Sequence, residues 1–329
     1  MKILVSGIMK IEIKSKDGIG MLAAFAQKVG STIENGRVEV PVEVGVGFIQ
    51  GYSFDERLRM MILNYQLHQD FAISRSNQPT HMLLFNFQHI INFPQSQTGA
   101  KFQPSVQITT QGLNVELFIP KNTIQNSISL SIDASYLREL IGNRIDHPLV
   151  NTILENKHPL LFEELVCIPL LEVVDNIVTS KVPILLQDFY YKLKAQELIC
   201  QLLISLVSRD EKKVHALNIA DIKMLYQVKE RLLDNLEEAP SIAELSKFSG
   251  VSETKLKRLF HQVFGKSIFQ YFQNFRMQEA ARLLREERLS VSEVGYQLGF
   301  SNLGHFTKVF EAVIGVKPKK YSQLGHEVI

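Results

Sequence analysis

Tryptophan is absent from this 329-residue chain, and cysteine occurs only twice, as Cys167 and Cys200. Two cysteines cannot supply the disulfide framework of a small secreted fold. Both lie in apolar surroundings, so reduced core thiols in a cytoplasmic protein are expected, with a single disulfide as the alternative. No apolar run approaches the ~18 residues that a membrane-spanning helix needs. The opening MKILVSGIMKIEIKSKDG alternates apolar and charged side chains and reads as a strand rather than a secretory signal. An excess of one charge is also missing, since 36 Lys and Arg against 34 Asp and Glu leave +2. That balance is uneven along the chain. From residue 222 onward 16 basic side chains accompany 12 acidic ones, leaving 20 against 22 in residues 1–221. The small basic excess is C-terminal and fits either a nucleic-acid face or an ordinary solvated surface.

Catalytic patterns are scarce as well. The nine histidines are scattered, and none stands at metal-ligand spacing from another His, Cys or acidic residue on one element. His81 and His89, eight apart, could share a face as metal ligands or as plain hydrogen-bonded strand positions. Glu163 with Glu164 and Glu286 with Glu287 are adjacent, and on helices adjacent side chains diverge, so no acid/base pair is expected. GIMKIEIKSKDGIG lacks the Lys-Ser or Lys-Thr ending of a nucleotide loop. No catalytic residue, metal or cofactor is assigned.

At 329 residues the chain exceeds one ordinary core, so at least two domains are expected. Runs such as GRVEVPVEVGVGFIQGY, LRMMILNYQLHQDFAISR and HMLLFNFQHIINF carry Val, Ile, Phe and Tyr between Gly, Pro, Asn and Ser breaks. They predict an antiparallel sheet closing on itself, a barrel-like (cupin-like) domain to about residue 135. MLAAFAQK is a helical exception, read as an N-terminal decoration. After Ile145 the period lengthens to three and four, predicting helices through FEELVCIPLLEVVDNIVTS and over about 184–207 within the span 136–210. The latter helix is apolar on more than one face, through Leu185, Phe189, Leu193, Leu198, Leu202 and Leu206. It is expected to meet a second copy of the chain through Leu198 and Leu202, or else to pack within its own domain. DEKKVHALN, residues 210–218, is the connector candidate. The chain thus reads as α+β, with residues 1–220 a sensing and dimerising domain and 221–329 all-α.

The all-α part contains a repeat. IAELSKFSGVSETKLKRLFHQVFG (242–265) superposes on VSEVGYQLGFSNLGHFTKVFEAVIG (291–315) after one inserted residue at the turn. Glu244 meets Glu293, Gly250 meets Gly299, Leu256 meets Phe306, Phe260 meets Phe310 and Gly265 meets Gly315. Each unit reads as a short helix, a glycine turn and a second helix begun by a Ser or Asn cap. Burying Leu256 and Phe260, or Phe306 and Phe310, leaves Thr254, Lys257 and Arg258 outward on one unit. On the other it leaves Leu303, Gly304, Thr307 and Lys308. These are helix-turn-helix units, whose second helices, 252–264 and 302–313, suit a major groove ~12 Å wide. Helix 268–287 joins them, with Phe269, Phe272, Met277, Ala280, Ala281 and Leu284 inward and Arg276, Arg282, Arg285 and Arg288 forming a basic side.

Residues 222–323 resemble the DNA-binding domain of the AraC family of bacterial transcriptional regulators. Ala281, Leu284, Gly299, Phe300, Phe306, Phe310, Gly315, Pro318 and Tyr321 carry the likeness. The resemblance implies seven helices and one base-reading helix per half. By position it implies base contacts from Thr254, Lys257 and Arg258, and from Leu303, Gly304, His305, Thr307 and Lys308. It further implies double-stranded DNA and RNA polymerase as partners, a small-molecule effector, a homodimer, and an activator's role. Gly295 departs from the family's usual alanine and Gly304 from its usual polar residue, so the second half is expected to read fewer bases. Residues 1–220 are only loosely similar to the pyochelin-receptor regulator group. Two other readings stay open: an architectural DNA binder whose front domain senses nothing, and a DNA-repair enzyme, which would require a reactive cysteine.

Overall fold

The run ISLSID, residues 128–133, alternates apolar and hydroxyl side chains, and the fold uses both faces. Ile128, Leu130 and Ile132 are fully buried. Each sits between two apolar partners on neighbouring strands: Ile128 between Ile62 and Phe87, Leu130 between Met60 and Phe85, Ile132 between Leu58 and Leu83. Three such rows form the centre of the first core, each large side chain contributing ~1.5–3 kcal/mol of burial.

The computed structural model describes residues 8–13, 19–75, 81–91, 104–110, 117–142, 146–166, 168–209 and 217–324. Cys167, Phe93 and residues 210–216 of the expected connector lie outside them. The chain forms two units, Met1–Ile219 and Ala220–Ile329. The first contains β1 (Met9–Ile13), α1 (Ile19–Val29), β2 (Arg37–Glu39), β3 (Gly45–Ser53), β4 (Leu58–Leu67), β5 (Phe71–Arg75), β6 (Met82–Gln88), β7 (Ser105–Thr109), β8 (Leu117–Ile119), β9 (Ile124–Asp133), α2 (Ala134–Ile141), α3 (Pro148–Glu155), β10 (Leu161–Leu165), α4 (Ile168–Thr179) and α5 (Gln187–Val207). Seven strands form an antiparallel sheet in the order β10-β7-β6-β9-β4-β3-β2, and three form a second sheet in the order β1-β5-β8.

Among the described residues no sheet closes into a barrel, which corrects the sequence expectation. The seven-stranded sheet has β10 and β2 as separate edges. Its apolar face is covered by helices: Leu137 of α2, Leu149 and Ile153 of α3, Val173 and Ile177 of α4, and Leu198, Leu202 and Leu206 of α5 all join the Ile128 core. Alternation reports that one face of a strand is buried. It does not distinguish a face covered by helices from one curled onto itself.

Three further expectations change. FEEL, residues 162–165, belongs to the strand β10 and not to a helix: Phe162 pairs with Ile108 of β7 and is fully buried. Buried Arg209 ion-pairs with Glu164 and donates from Nη2 to the Glu163 carbonyl, 2.6 Å. The helix α1 is no decoration, because Phe25 is fully buried with its ring 5.2 Å from that of Tyr65 and 5.8 Å from that of Phe71, at the centre of a second core. Leu198 and Leu202 of α5 are fully buried within the first core, whereas Leu186, Phe189, Leu193, Cys200, Ile204 and Val207 lie outward. Cys200 is therefore an exposed thiol. It falls opposite the 195, 198, 202 and 206 positions that face the sheet.

Unit 2 is helical throughout its described residues: α6 (Ile219–Leu233), α7 (Ile242–Ser249), α8 (Glu253–Phe264), α9 (Ile268–Arg285), α10 (Val291–Gln297), α11 (Leu303–Ile314) and α12 (Pro318–Leu324). Its helix starts are set locally. Ser241, Ser267 and Ser290 each form a reciprocal capping box with Glu244, Gln270 and Glu293. Ser252 and Asn302 cap α8 and α11 through the N–H groups of Lys255 and His305. Such caps stabilise by ~1 kcal/mol each. The helix α9 packs against α8, α10, α11 and α12.

Candidate nucleic-acid interface

One face of α8 is closed by Leu256, Leu259, Phe260, Val263 and Phe264, all buried. The Phe260 ring lies 4.4 Å from Phe264 and 5.5 Å from Tyr271 of α9, which holds the helix along its length. Thr254, Lys257 and Arg258 are exposed together on the opposite side. Lys257 Nζ bonds Glu253 Oε2 one turn back, 2.9 Å, an exposed pair that water and salt loosen readily. Arg258 has no such partner among the described residues, leaving its planar fork of donors available.

The helix α11 is built alike but offers different chemistry. Phe306 and Phe310 are fully buried, and Phe306 packs 5.3 Å from Phe300. By the repeat, Gly304 takes the place of Thr254, Thr307 that of Lys257 and Lys308 that of Arg258. Gly304, His305 and Lys308 are exposed. Thr307 is half-buried and donates its hydroxyl proton to the Leu303 carbonyl at 2.9 Å, leaving only its acceptor capacity outward. Leu303 is half-buried against α10. A β-carbon added at Gly295 would lie 2.6 Å from Leu303 Cδ2 and 3.4 Å from Phe306 Cδ1. Glycine at 295 thus leaves the space that Leu303 fills, which turns that side chain toward the domain.

These helices match known proteins. Residues 245–323 match a family model described as a helix-turn-helix domain. The HTH-type transcriptional regulator YfiF of Bacillus subtilis is 34% identical over 101 residues, 31% of this chain and 32% of YfiF. A transcriptional regulator of Chromobacterium violaceum with an AraC-type DNA-binding domain is 25% identical in its crystal structure, covering 34% of this chain and all of that one at a TM-score of 0.32. The multiple antibiotic resistance protein MarA of Salmonella typhimurium is 30% identical over 101 residues, 31% of this chain but 80% of MarA. The chain belongs to the AraC family. It spans about a third of the length of YfiF, so the family likeness resides in unit 2.

All eight positions proposed from the sequence fall within the AraC-family segment, on α8 and α11. The sequence misassigned two neighbours in α9. Phe269, expected inward, is 61% exposed. Arg276, expected on a basic side, is 7% exposed and lies beneath the turn that precedes α11. That basic side is further reduced because Arg282 is held by Glu279, Glu286 and Glu287 at 2.9, 3.5 and 2.8 Å. The FR spacing in YFQNFR is the only local sign that Arg276 has aromatic neighbours. Among the described residues no group of three His, Cys, Asp or Glu side chains could hold a metal ion, and no helix is long and apolar enough to cross a membrane.

Proposed function

We propose that this AraC-family chain is a ligand-responsive transcriptional activator, not an enzyme, that reads two successive major-groove segments of one duplex with α8 and α11. The observation that carries the reading is the pair of capped helices with outward Thr254, Lys257 and Arg258 on one and His305, Thr307 and Lys308 on the other. They are joined through α9, whose 18 residues extend ~27 Å against a groove repeat of ~34 Å. Arg258 reads a guanine edge and Lys308 contacts a phosphate; Leu303 and Gly304 give the second helix little direct base contact.

Unit 1 is the sensor and the dimerising domain. Its self-association face is the outward seam of α5, Phe189, Leu193, Cys200, Ile204 and Val207, with Leu186 just ahead of it, rather than Leu198 and Leu202. Polymerase contact completes activation. Selection of duplexes from a random pool by the full chain tests the reading. Enrichment of two motifs about one helical turn apart supports it, and recovery of no shared sequence refutes it. Mapping of bound sites in cells identifies the controlled genes and the sign of control.

A further inference from the structure

The three-helix unit α9-α10-α11 repeats α6-α7-α8 in full. Ile219 and Ile268 open α6 and α9 at the same interval as Glu244 from Glu293, and buried Ile222, Val228 and Leu232 correspond to buried Tyr271, Met277 and Ala281. The burial does not repeat at every position: exposed Lys223 and Glu230 stand where Phe272 and Glu279 are buried, and a further such difference involves an arginine. Gln227 of α6 is exposed beside an open groove lined by Glu230, Arg231, Asp234 and Phe248. Its counterpart in α9 is Arg276, which is buried.

Arg276 has no carboxylate partner among the described residues. Its Nη2 donates to the Leu298 carbonyl, at the C-terminal end of α10 where helix carbonyls lack intrahelical partners. Its guanidinium carbon sits 4.1 Å from the centre of the Phe300 ring and 5.2 Å from that of Phe272. Phe300 in turn packs 5.3 Å from Phe306 and 5.8 Å from His305, both on α11. On the other side of this turn, the backbone of Glu237 lies where a β-carbon on Gly299 would fall, with its carbonyl oxygen 2.3 Å from that point. Residues 298–300 are thus held between an α9 side chain and the α6–α7 connection.

We infer that Arg276 is a positioning residue for the second reading helix: it fixes the Leu298–Phe300 turn, and through Phe300 the angle of α11, without itself touching DNA. Planarity is essential to the role, because the fork must stack on Phe300 while donating to a carbonyl at its edge. The first unit has no such lock, with Gln227 and Val251 in the places of Arg276 and Phe300. The inference rests on the reading of α11 as a DNA-facing helix.

The test uses the full-length chain, its R276M and R276K variants, and the duplex it enriches from a random pool, alongside copies of that duplex scrambled in one motif or the other. Both variants are expected to lose about tenfold in affinity for the intact duplex, the size of one hydrogen bond to a charged group. The loss should vanish on the copy lacking the motif read by α11, the slope of affinity against salt should stay unchanged, and amide exchange should accelerate at residues 299–306 alone. Restored binding by R276K would show a general charge effect. Equal losses on every duplex with faster exchange throughout unit 2 would show a merely structural residue. Either outcome overturns the inference, as does unchanged affinity. If the wild-type chain is indifferent to scrambling of either motif, the DNA-facing reading of α11 fails with it, while faster exchange confined to 299–306 would still show the clamp.

Discussion

Replacing Gly299 and Gly250 separately by alanine compares the same turn position in two settings. Both glycines have left-handed backbone angles, φ +76° and +68°, which an L-residue adopts at a cost of ~1 kcal/mol. At Gly250 a β-carbon meets nothing within 4 Å, so G250A should cost only that conformational term. At Gly299 the β-carbon would lie 2.3 Å from the Glu237 carbonyl oxygen and 2.8 Å from its carbonyl carbon. Backbone must move there, and overpacking of this kind adds ~1–3 kcal/mol. G299A should therefore cost ~2–4 kcal/mol, two to four times as much as G250A. Native-state hydrogen exchange of the full-length protein gives the opening free energies of α7–α8 and α10–α11 separately. Equal costs at the two positions would refute the close approach of the α6–α7 connection to the second turn.

Other perturbations test the remaining assignments. G295A should be nearly neutral in the wild-type background, because a helix-propensity gain of ~1 kcal/mol is offset by displacement of Leu303. In an L303A background it should stabilise by ~1 kcal/mol, and the same effect in both backgrounds would show that Leu303 does not occupy that space. R258A should relax preference at one base pair by ~1–3 kcal/mol, whereas K308A should weaken all duplexes alike and lower the salt slope by about one; titrations against the selected and a shuffled duplex separate the two. L198D should unfold unit 1, which circular dichroism would show, while F189D with L193D should leave it folded and yield monomers in sedimentation. The Ser241 N–H holds the Glu244 carboxyl below its ordinary pKa, and the Ser290 hydroxyl does the same for Glu293. Folded-state values so depressed mean stability that is complete above the usual glutamate range and lost as pH falls through the lower folded values. Acid titration of the melting of unit 2 should show that loss, and E244Q with E293Q should flatten it.

The starts of α7, α8, α9, α10 and α11 are legible because their causes are local. A serine or asparagine three residues ahead of the N–H it accepts, and a glycine at the left-handed stop, act within one turn of chain, so Ser241, Ser252, Ser267, Ser290, Asn302 and Gly315 announce themselves in the sequence. The repeat made the paired helices α8 and α11 legible as well, since near-identical spacing of the buried residues needs the same fold twice. Tertiary structure alone decided what covers each face. Whether Ile128, Leu130 and Ile132 meet a curled sheet or four helices depends on segments tens of residues away. So does the pairing that makes FEEL a strand, since Phe162 becomes a ladder residue only when β7 lies beside it. The helix α5 carries apolar residues around most of its circumference, and only its docking on the sheet chose Leu198 and Leu202 for the core and left Phe189 and Cys200 outside. Arg276 shows the same limit most plainly. A cation at a helical position reads as surface until the Leu298 carbonyl and the Phe300 ring, both more than twenty residues further on, arrive to receive it.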